Sequence, residues 1–155
     1  MPKLTVQEAA MTGFTDVISF KFGDDFKANT SAAAITKTYS VPAGTLIENA
    51  AYHLVTPFTG GSISNVTLDI GIGGQGSATI DDFIEAGDIF DGATYLKNNG
   101  SKLIGGSGAR GHQFDTDDTI DIEFTPVGDG LANATAGEIV IKFTLLNMNK
   151  SDGVN

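Results

Sequence analysis

The chain has 155 residues, 41% of them apolar, with 20 glycines, four prolines and no cysteine. That length suits one domain able to bury roughly 68–70% of its unfolded surface, and the apolar share argues against disorder. Zero Cys excludes disulfides, thiolate metal sites and a cysteine nucleophile, while nine Lys plus Arg against nineteen Asp plus Glu leave a net charge of −10 that disfavours nucleic acid and anionic lipid as partners.

The first residues lack a basic region followed by a long apolar run, and no stretch approaches about 20 apolar residues, so no targeting or membrane-spanning segment is expected. Residues 1–13 show no clear period and read as an extended arm, with a single β-domain over 14–149 and a short tail over 150–155. Ile18, Phe20 and Phe22 alternate with Val17, Ser19 and Lys21 before Gly23-Asp24-Asp25, which predicts a strand ending in a turn. Ile35 to Val41 is rich in β-branched and aromatic residues and stops at Pro42-Ala43-Gly44. Leu46 to Val55 follows as a longer strand, closed by Pro57 and Gly60-Gly61. Val66, Leu68, Ile70 and Ile72 line one face of the next strand, with Thr67 and Asp69 opposite.

One short segment has a helical period. Ile80, Phe83 and Ile84 fall at i, i+3 and i+4 after Thr79 as N-cap, Gly87 supplies a stop, and Asp81, Asp82 and Glu85 read as first-turn acids favoured by the helix dipole. Then come Asp91-Gly92, Asn98-Asn99-Gly100 and Gly105-Gly106-Ser107-Gly108, three turn signals around the apolar pair Leu103-Ile104. Two runs of strict alternation close the chain, Ile120 to Phe124 and Ile139 to Leu145, each with one apolar row. About eight short strands and one short helix predict an all-β fold, an antiparallel β-sandwich or jelly roll, because each apolar row needs a second sheet to cover it.

The motifs that could carry chemistry all have simpler readings. Gly71-Ile72-Gly73-Gly74-Gln75-Gly76 matches G-x-G-x-x-G and has Asp91 twenty residues after its first Gly, but it does not open the helix of a parallel βαβ unit; it reads as a turn leaving a strand, with no cofactor. Asp115, Asp117, Asp118, Asp121 and Glu123 are dense enough to suggest a hard cation such as calcium, yet Ile120 stands where an EF-hand loop needs Gly, so a strand entry with exposed acids is the preferred reading and no metal is expected. A Ser-His-Asp centre needs a His as base, and the chain has only His53 and His112. His112 lies near Ser107, Arg110, Asp115 and Asp117, but Gly105 to Ala109 misses the G-x-S-x-G elbow, and a recognition or solvated loop explains it; no enzyme is expected.

Tyr39-Ser40-Val41-Pro42-Ala43-Gly44-Thr45-Leu46-Ile47, continuing through Pro57-Phe58-Thr59-Gly60-Gly61 and Val66 to Gly71, resembles a strand, Pro-Ala-Gly turn and strand arrangement of small β-sandwich virion proteins of tailed bacteriophages. The closing block, Ile122 to Leu131 and then Ala134 to Ile141, is similar to the carboxy-terminal hairpin of that group. The resemblance covers most of Tyr39 to Leu146. It implies a capsid decoration or head-stabilising protein, a symmetric homotrimer on the exterior of the virion that binds the major capsid protein and itself. Under that implication the arm would carry part of the shell contact through Leu4, Val6, Met11 and Phe14, by adding to an exposed sheet edge; the alternative is that these residues form a first strand of the sandwich. Two other classes stay open: a tail or fibre component or receptor- or carbohydrate-binding module acting through loops such as Gly105 to His112, and a hydrolase dependent on His112.

Overall fold

Alternating apolar rows leave each sheet with one greasy face, and the two faces close on each other. The computed structural model describes residues 13–74, 80, 82–90, 96, 97 and 111–149, with backbone only at 96 and 97. In one sheet β1 (Asp16–Lys21), β9 (Ala136–Asn147), β3 (Thr45–Thr59) and β6 (Leu96–Lys97) run side by side, and β7 (His112–Gln113) pairs with another part of β3. The second sheet orders β2 (Ile35–Val41), β8 (Asp118–Val127), β4 (Asn65–Ile72) and β5 (Ile84–Asp88). Every pairing is antiparallel. The expected all-β sandwich is the fold.

The core follows from the period of two. Ile120, Ile122 and Phe124 of β8 face Ile139, Ile141 and Phe143 of β9, all fully buried, with Val66, Leu68 and Ile70 of β4 beside them. A single turn of 3-10 helix at Asp24–Phe26 swings Phe26 into this layer. There it meets Phe124 edge-on at 4.9 Å and Phe58 at 5.5 Å between ring centroids, while Phe20 approaches Phe124 at 5.4 Å. Edge-to-face rings at these distances add about 0.5–1.5 kcal/mol per pair beyond the area they bury.

β3 runs on past the boundary expected at Pro57. Its pairing with β9 slips by one residue between Ile47 and Asn49, between Leu54 and Thr56, and again between Thr56 and Thr59. Each extra residue turns the following side chain to the other face, so the first slip moves the inward row from Ile47 to Ala50, Tyr52 and Leu54, and the next two cancel to bring Phe58 inward. Pro57 has no N–H to give, and an irregular stretch is where a strand tolerates it.

The short helix expected from Ile80 to Gly87 does not form. Ile84–Asp88 is β5, the edge strand beside β4, and Asp82 and Glu85 are not first-turn acids of a helix; Asp81 lies outside the described residues. A segment this short falls below the roughly 12–15 residues at which an isolated helix holds, whereas pairing satisfies the open edge of β4. Phe83 donates its N–H to the Ile70 carbonyl at 2.8 Å, and the Asp82 carboxylate accepts from the Ile72 N–H at 2.9 Å. Ala86 takes a positive φ of 47° at a one-residue slip between β5 and β4, and its N–H is captured by Asp69 at 2.7 Å.

Candidate functional site

One end of the sandwich gathers the end of β2, the start of β3, the start of β8, the end of β9 and the start of β1. The Pro42-Ala43-Gly44 turn builds it. Gly44 sits at φ 80°, its N–H donates to Phe114 O at 2.7 Å, its carbonyl accepts from Met148 N–H at 2.8 Å, and Ala43 N–H donates to Asp117 at 2.9 Å. A shallow groove of about 620 Å³ opens between Ser40 to Pro42 and Asp117 to Thr119. A smaller pocket of about 120 Å³ lies on the other side of the same β2 residues, lined also by Asp16, Tyr39, Thr45 and Leu145 to Asn147.

Asp16 is the buried acid beside the smaller pocket. It begins β1 opposite Phe143 of β9, on the same inward row as Ile18 and Phe20, and is 2% exposed. Thr15 Oγ1 donates to its Oδ2 at 2.6 Å and accepts from Leu145 N–H at 2.8 Å, whereas Oδ1 is buried with no hydrogen-bond partner. Tyr39 reaches across from the opposite sheet and stacks on Phe143, with ring centroids 6.3 Å apart and planes 17° from parallel. Burial, and then the Asp16 carboxylate beside it, push the Tyr39 phenol above its ordinary value. Asp16 and Tyr39 thus close the seam between the two edge strands β1 and β2.

The residues singled out in the sequence are dispersed. Phe14 is 7% exposed at the entry to β1; Leu4, Val6 and Met11 lie outside the described residues, as do Gln75, Gly76, Asp91, Leu103, Ile104, Ser107 and Arg110. His53 is a half-buried residue in the middle of β3, opposite Val140 and Leu96. His112 is in a strand rather than a loop: β7 pairs with Leu46 and Ile47, the imidazole packs edge-on against Phe114 at 4.8 Å, and its buried Nε2 has no hydrogen-bond partner. The acids of 115–123 hold turns and strands. Asp118 Oδ1 accepts from Thr119 N–H at 2.7 Å, Asp121 accepts from the Thr119 hydroxyl at 2.7 Å, and Glu123 from the Thr36 hydroxyl at 3.3 Å. Among the described residues no three His, Cys, Asp or Glu side chains come together as metal ligands. Gly71 continues β4, and Gly73 donates its N–H to Thr119 O at 2.9 Å, so the described part of the Gly-rich motif is strand end and crossing backbone.

Sequence reasoning missed the Asp16–Tyr39 pair, although a signal was there: Asp16 occupies an inward phase of its strand, two residues before Ile18 and four before Phe20. Exposed apolar side chains surround the domain without forming one stripe: Leu146 and Met148 at the Asp16 end, Phe22 and Val127 at the other, and Val55 between. No helix among the described residues is long and apolar enough to cross a membrane. No protein-family model, curated protein or solved structure matches the chain.

Proposed function

We propose that this chain is a structural virion protein that binds the outer surface of a tailed-phage capsid and stabilises the shell, acting as a homotrimer that contacts the major capsid protein. The observation that carries the reading is the pair of sequence blocks that resemble small virion β-sandwich proteins. The first runs from the end of β2 through the Pro42-Ala43-Gly44 turn and parts of β3 to Gly71 in β4; the second runs from Ile122 in β8 to Ile141 in β9. Both consist mostly of strand residues of the two sheets, with the turns that join them. The net charge of −10 suits an exterior position, away from the packaged genome.

The mechanism is binding free energy and not catalysis. A clamp that buries on the order of 1,000 Å² or more between shell and sister subunits makes each local expansion of the shell costlier, and repetition over many sites multiplies small gains. Two antiparallel sheets packed face to face give that clamp a stiff body. The arm over residues 1–13 supplies an added strand for a neighbour's open sheet edge.

Light scattering gives the mass in solution, and mixing with undecorated capsids followed by sedimentation gives the binding. A trimer that pellets with capsids and raises their resistance to heat is the expected result; a monomer that stays in the supernatant overturns the proposal. Deletion of residues 1–12 is expected to weaken capsid binding while the far-ultraviolet circular dichroism stays that of a β-sandwich. An unfolded product would assign the segment to the domain instead.

A further inference from the structure

We propose that the free edge of β2 receives residues 3–7 of a second copy of this chain as an added antiparallel strand, with Lys3 opposite Ser40, Thr5 opposite Thr38 and Gln7 opposite Thr36. The inference deepens the reading above: it rests on the homo-oligomer proposed there and names the edge and the register. Among the described residues β2 ends its sheet, paired with β8 alone in a register unbroken over 7 residues. Alternate residues of an antiparallel strand give both backbone groups to the same neighbour. Gly73 N–H donates to Thr119 O between β4 and β8, so the odd-numbered residues of β8 turn toward β4 and the even-numbered ones toward Ile35, Lys37, Tyr39 and Val41. The N–H and C=O groups of Thr36, Thr38 and Ser40 therefore point away from the sheet, on three exposed residues. That row carries no Pro, no bulge and no charge, the usual devices that blunt an edge. Lys37, on the inner row, is engaged already: its Nζ donates to Asp25 O and lies 5.4 Å from the centroid of the Phe26 ring. The other edges are poorer acceptors, since Asp25 Oδ2 takes the Lys21 N–H of β1 at 2.6 Å and a slip interrupts β5.

Two hollows at the end of β2 select the side chains. An added strand sends successive side chains to opposite faces, and Ser40 to Pro42 have a hollow on each side. The groove of about 620 Å³ is walled by Asp117 and Asp118, and the pocket of about 120 Å³ has Val41, Leu145 and Leu146 in its wall. A matching strand carries a cation and an aliphatic side chain in succession. Lys3-Leu4 is such a pair. In the stated register Lys3 falls beside the acidic groove and Leu4, opposite Tyr39, beside the apolar pocket, which has room for about four water-sized groups and so for a leucine side chain. Pro2 falls opposite Val41, where the added strand has no N–H to give, so its ring removes no ladder bond. The donor is a second copy because the arm is rooted in the wrong place for its own edge. Gly13 O accepts from Thr144 Oγ1 at 2.5 Å on the other sheet, at the Val41 end, whereas Gln7 stops at the Thr36 end. The return would take about 17 Å along β2 and about 10 Å between sheets, against at most about 22 Å for the six peptide steps from Gln7 to Gly13.

The chain has no cysteine, so engineered thiols report this contact cleanly. Full-length Thr5→Cys and Thr38→Cys chains, distinguished by a tag and co-expressed, are oxidised with glutathione disulfide and the mixed product is read by mass. A mixed disulfide at least tenfold more abundant than the one formed between Thr5→Cys and Ser19→Cys, on the β1 edge, is expected. Equal yields at the two edges, or no mixed disulfide, overturn the proposal. The double variant Thr5→Cys with Thr38→Cys tests the occupant: an internal disulfide in a monomer overturns the second copy. Thr38→Pro removes an outward N–H and leaves the ladder to β8 intact, so it is expected to reduce the oligomer to monomers, as light scattering reads it, with an unchanged circular dichroism spectrum; a folded variant that keeps the parent's mass overturns the proposal. Should Thr38→Pro not fold, the cysteine pairs decide alone. A trimer that pellets with capsids but gives no mixed disulfide overturns this inference and leaves the capsid reading standing, whereas the mixed disulfide in a chain that stays in the supernatant upholds the inference and overturns the capsid reading.

Discussion

The side-chain oxygen of Asn29 accepts the backbone N–H of Leu131 at 2.7 Å, joining positions 102 residues apart in the chain. The same side chain donates from Nδ2 to Ala33 O at 2.8 Å, and its backbone carbonyl accepts from Ala132 N–H at 2.9 Å. Asn29 is 5% exposed, so this amide ties the crossing between β1 and β2 to the 3-10 turn Leu131–Asn133 with no solvent to replace it. Asn29→Ala strands the buried Leu131 N–H, while water can take the carbonyl of the exposed Ala33, so at about 1–3 kcal/mol for a buried group left unsatisfied the loss is expected to be about 1–3 kcal/mol. Urea unfolding monitored with an unchanged slope measures it. A loss under about 0.5 kcal/mol would show that water reaches the turn.

Gly137 presses its backbone against the ring of Phe58, and a Cβ built there would sink into that ring. The glycine also holds φ at 148°, opposite the last slip of β3. Gly137→Ala therefore combines overpacking, typically about 1–3 kcal/mol, with backbone strain of about 1 kcal/mol or more. Gly23, at φ 94° with open space around its Cα, isolates the strain alone. Thermal unfolding is expected to rank Gly137→Ala well below Gly23→Ala in midpoint; equal midpoints would mean that Phe58 moves aside freely.

Much of this architecture is legible because alternation is a direct record of burial. Ile120, Ile122 and Phe124, and Ile139, Ile141 and Phe143, announce the two central strands, and both runs lie where expected. What the period cannot announce is pairing that depends on a partner's open edge. Phe83 and Ile84 are buried neighbours, a pattern that suits a helix face as well as an irregular strand, and the free N–H and C=O groups of β4 decide between them. Pro57 reads as a stop because the sequence carries no mark of the slips that accommodate it. The Asp16 pocket was hidden for another reason: its partner, Tyr39, comes from the opposite sheet, and contacts across a sandwich leave no spacing in the chain.

Ala86 is the one non-glycine with positive φ among the described residues, at 47°. For an L-residue that region costs about 1–2 kcal/mol, while glycine in a strand forfeits about 0.5–1 kcal/mol in chain entropy. Ala86→Gly is therefore expected to raise stability slightly, by about 0.5–1 kcal/mol, with Asp69 still holding the N–H. A lower midpoint in the variant would place the alanine methyl among useful contacts instead.

Asp129 anchors the turn between β8 and β9 from a half-buried position. Hydrogen bonds from the Asn133 side chain first, and from the Ser62 and Gly130 N–H groups next, hold its carboxyl below the usual carboxylate range. A folded value depressed below the unfolded one means that the contribution is complete above the ordinary carboxylate value, about 3.9, and is lost as pH falls through the folded value. The midpoint difference between the parent and Asp129→Ala is expected to be constant above about pH 5 and to shrink below about pH 4. A difference that persists undiminished to lower pH would remove the charge from the explanation and leave only the shape of the turn.

Tyr39 gives the opposite dependence at the alkaline end. Its phenol is raised by burial first and by the Asp16 carboxylate second, so the folded chain resists losing a proton that the unfolded chain releases near pH 10. The contribution is complete below that unfolded value and is lost as pH climbs through the folded one. Parent and Tyr39→Phe are therefore expected to differ by a constant amount through neutral pH, with the parent's advantage shrinking above about pH 10 because phenylalanine has no proton to lose. Asp16→Asn separates the two causes. It removes the neighbouring charge and keeps the burial, so phenolate absorbance should show Tyr39 titrating at a lower pH than in the parent yet still above free tyrosine. A titration unmoved by Asp16→Asn would show that the seam between β1 and β2 is held by packing against Phe143, with no electrostatic part.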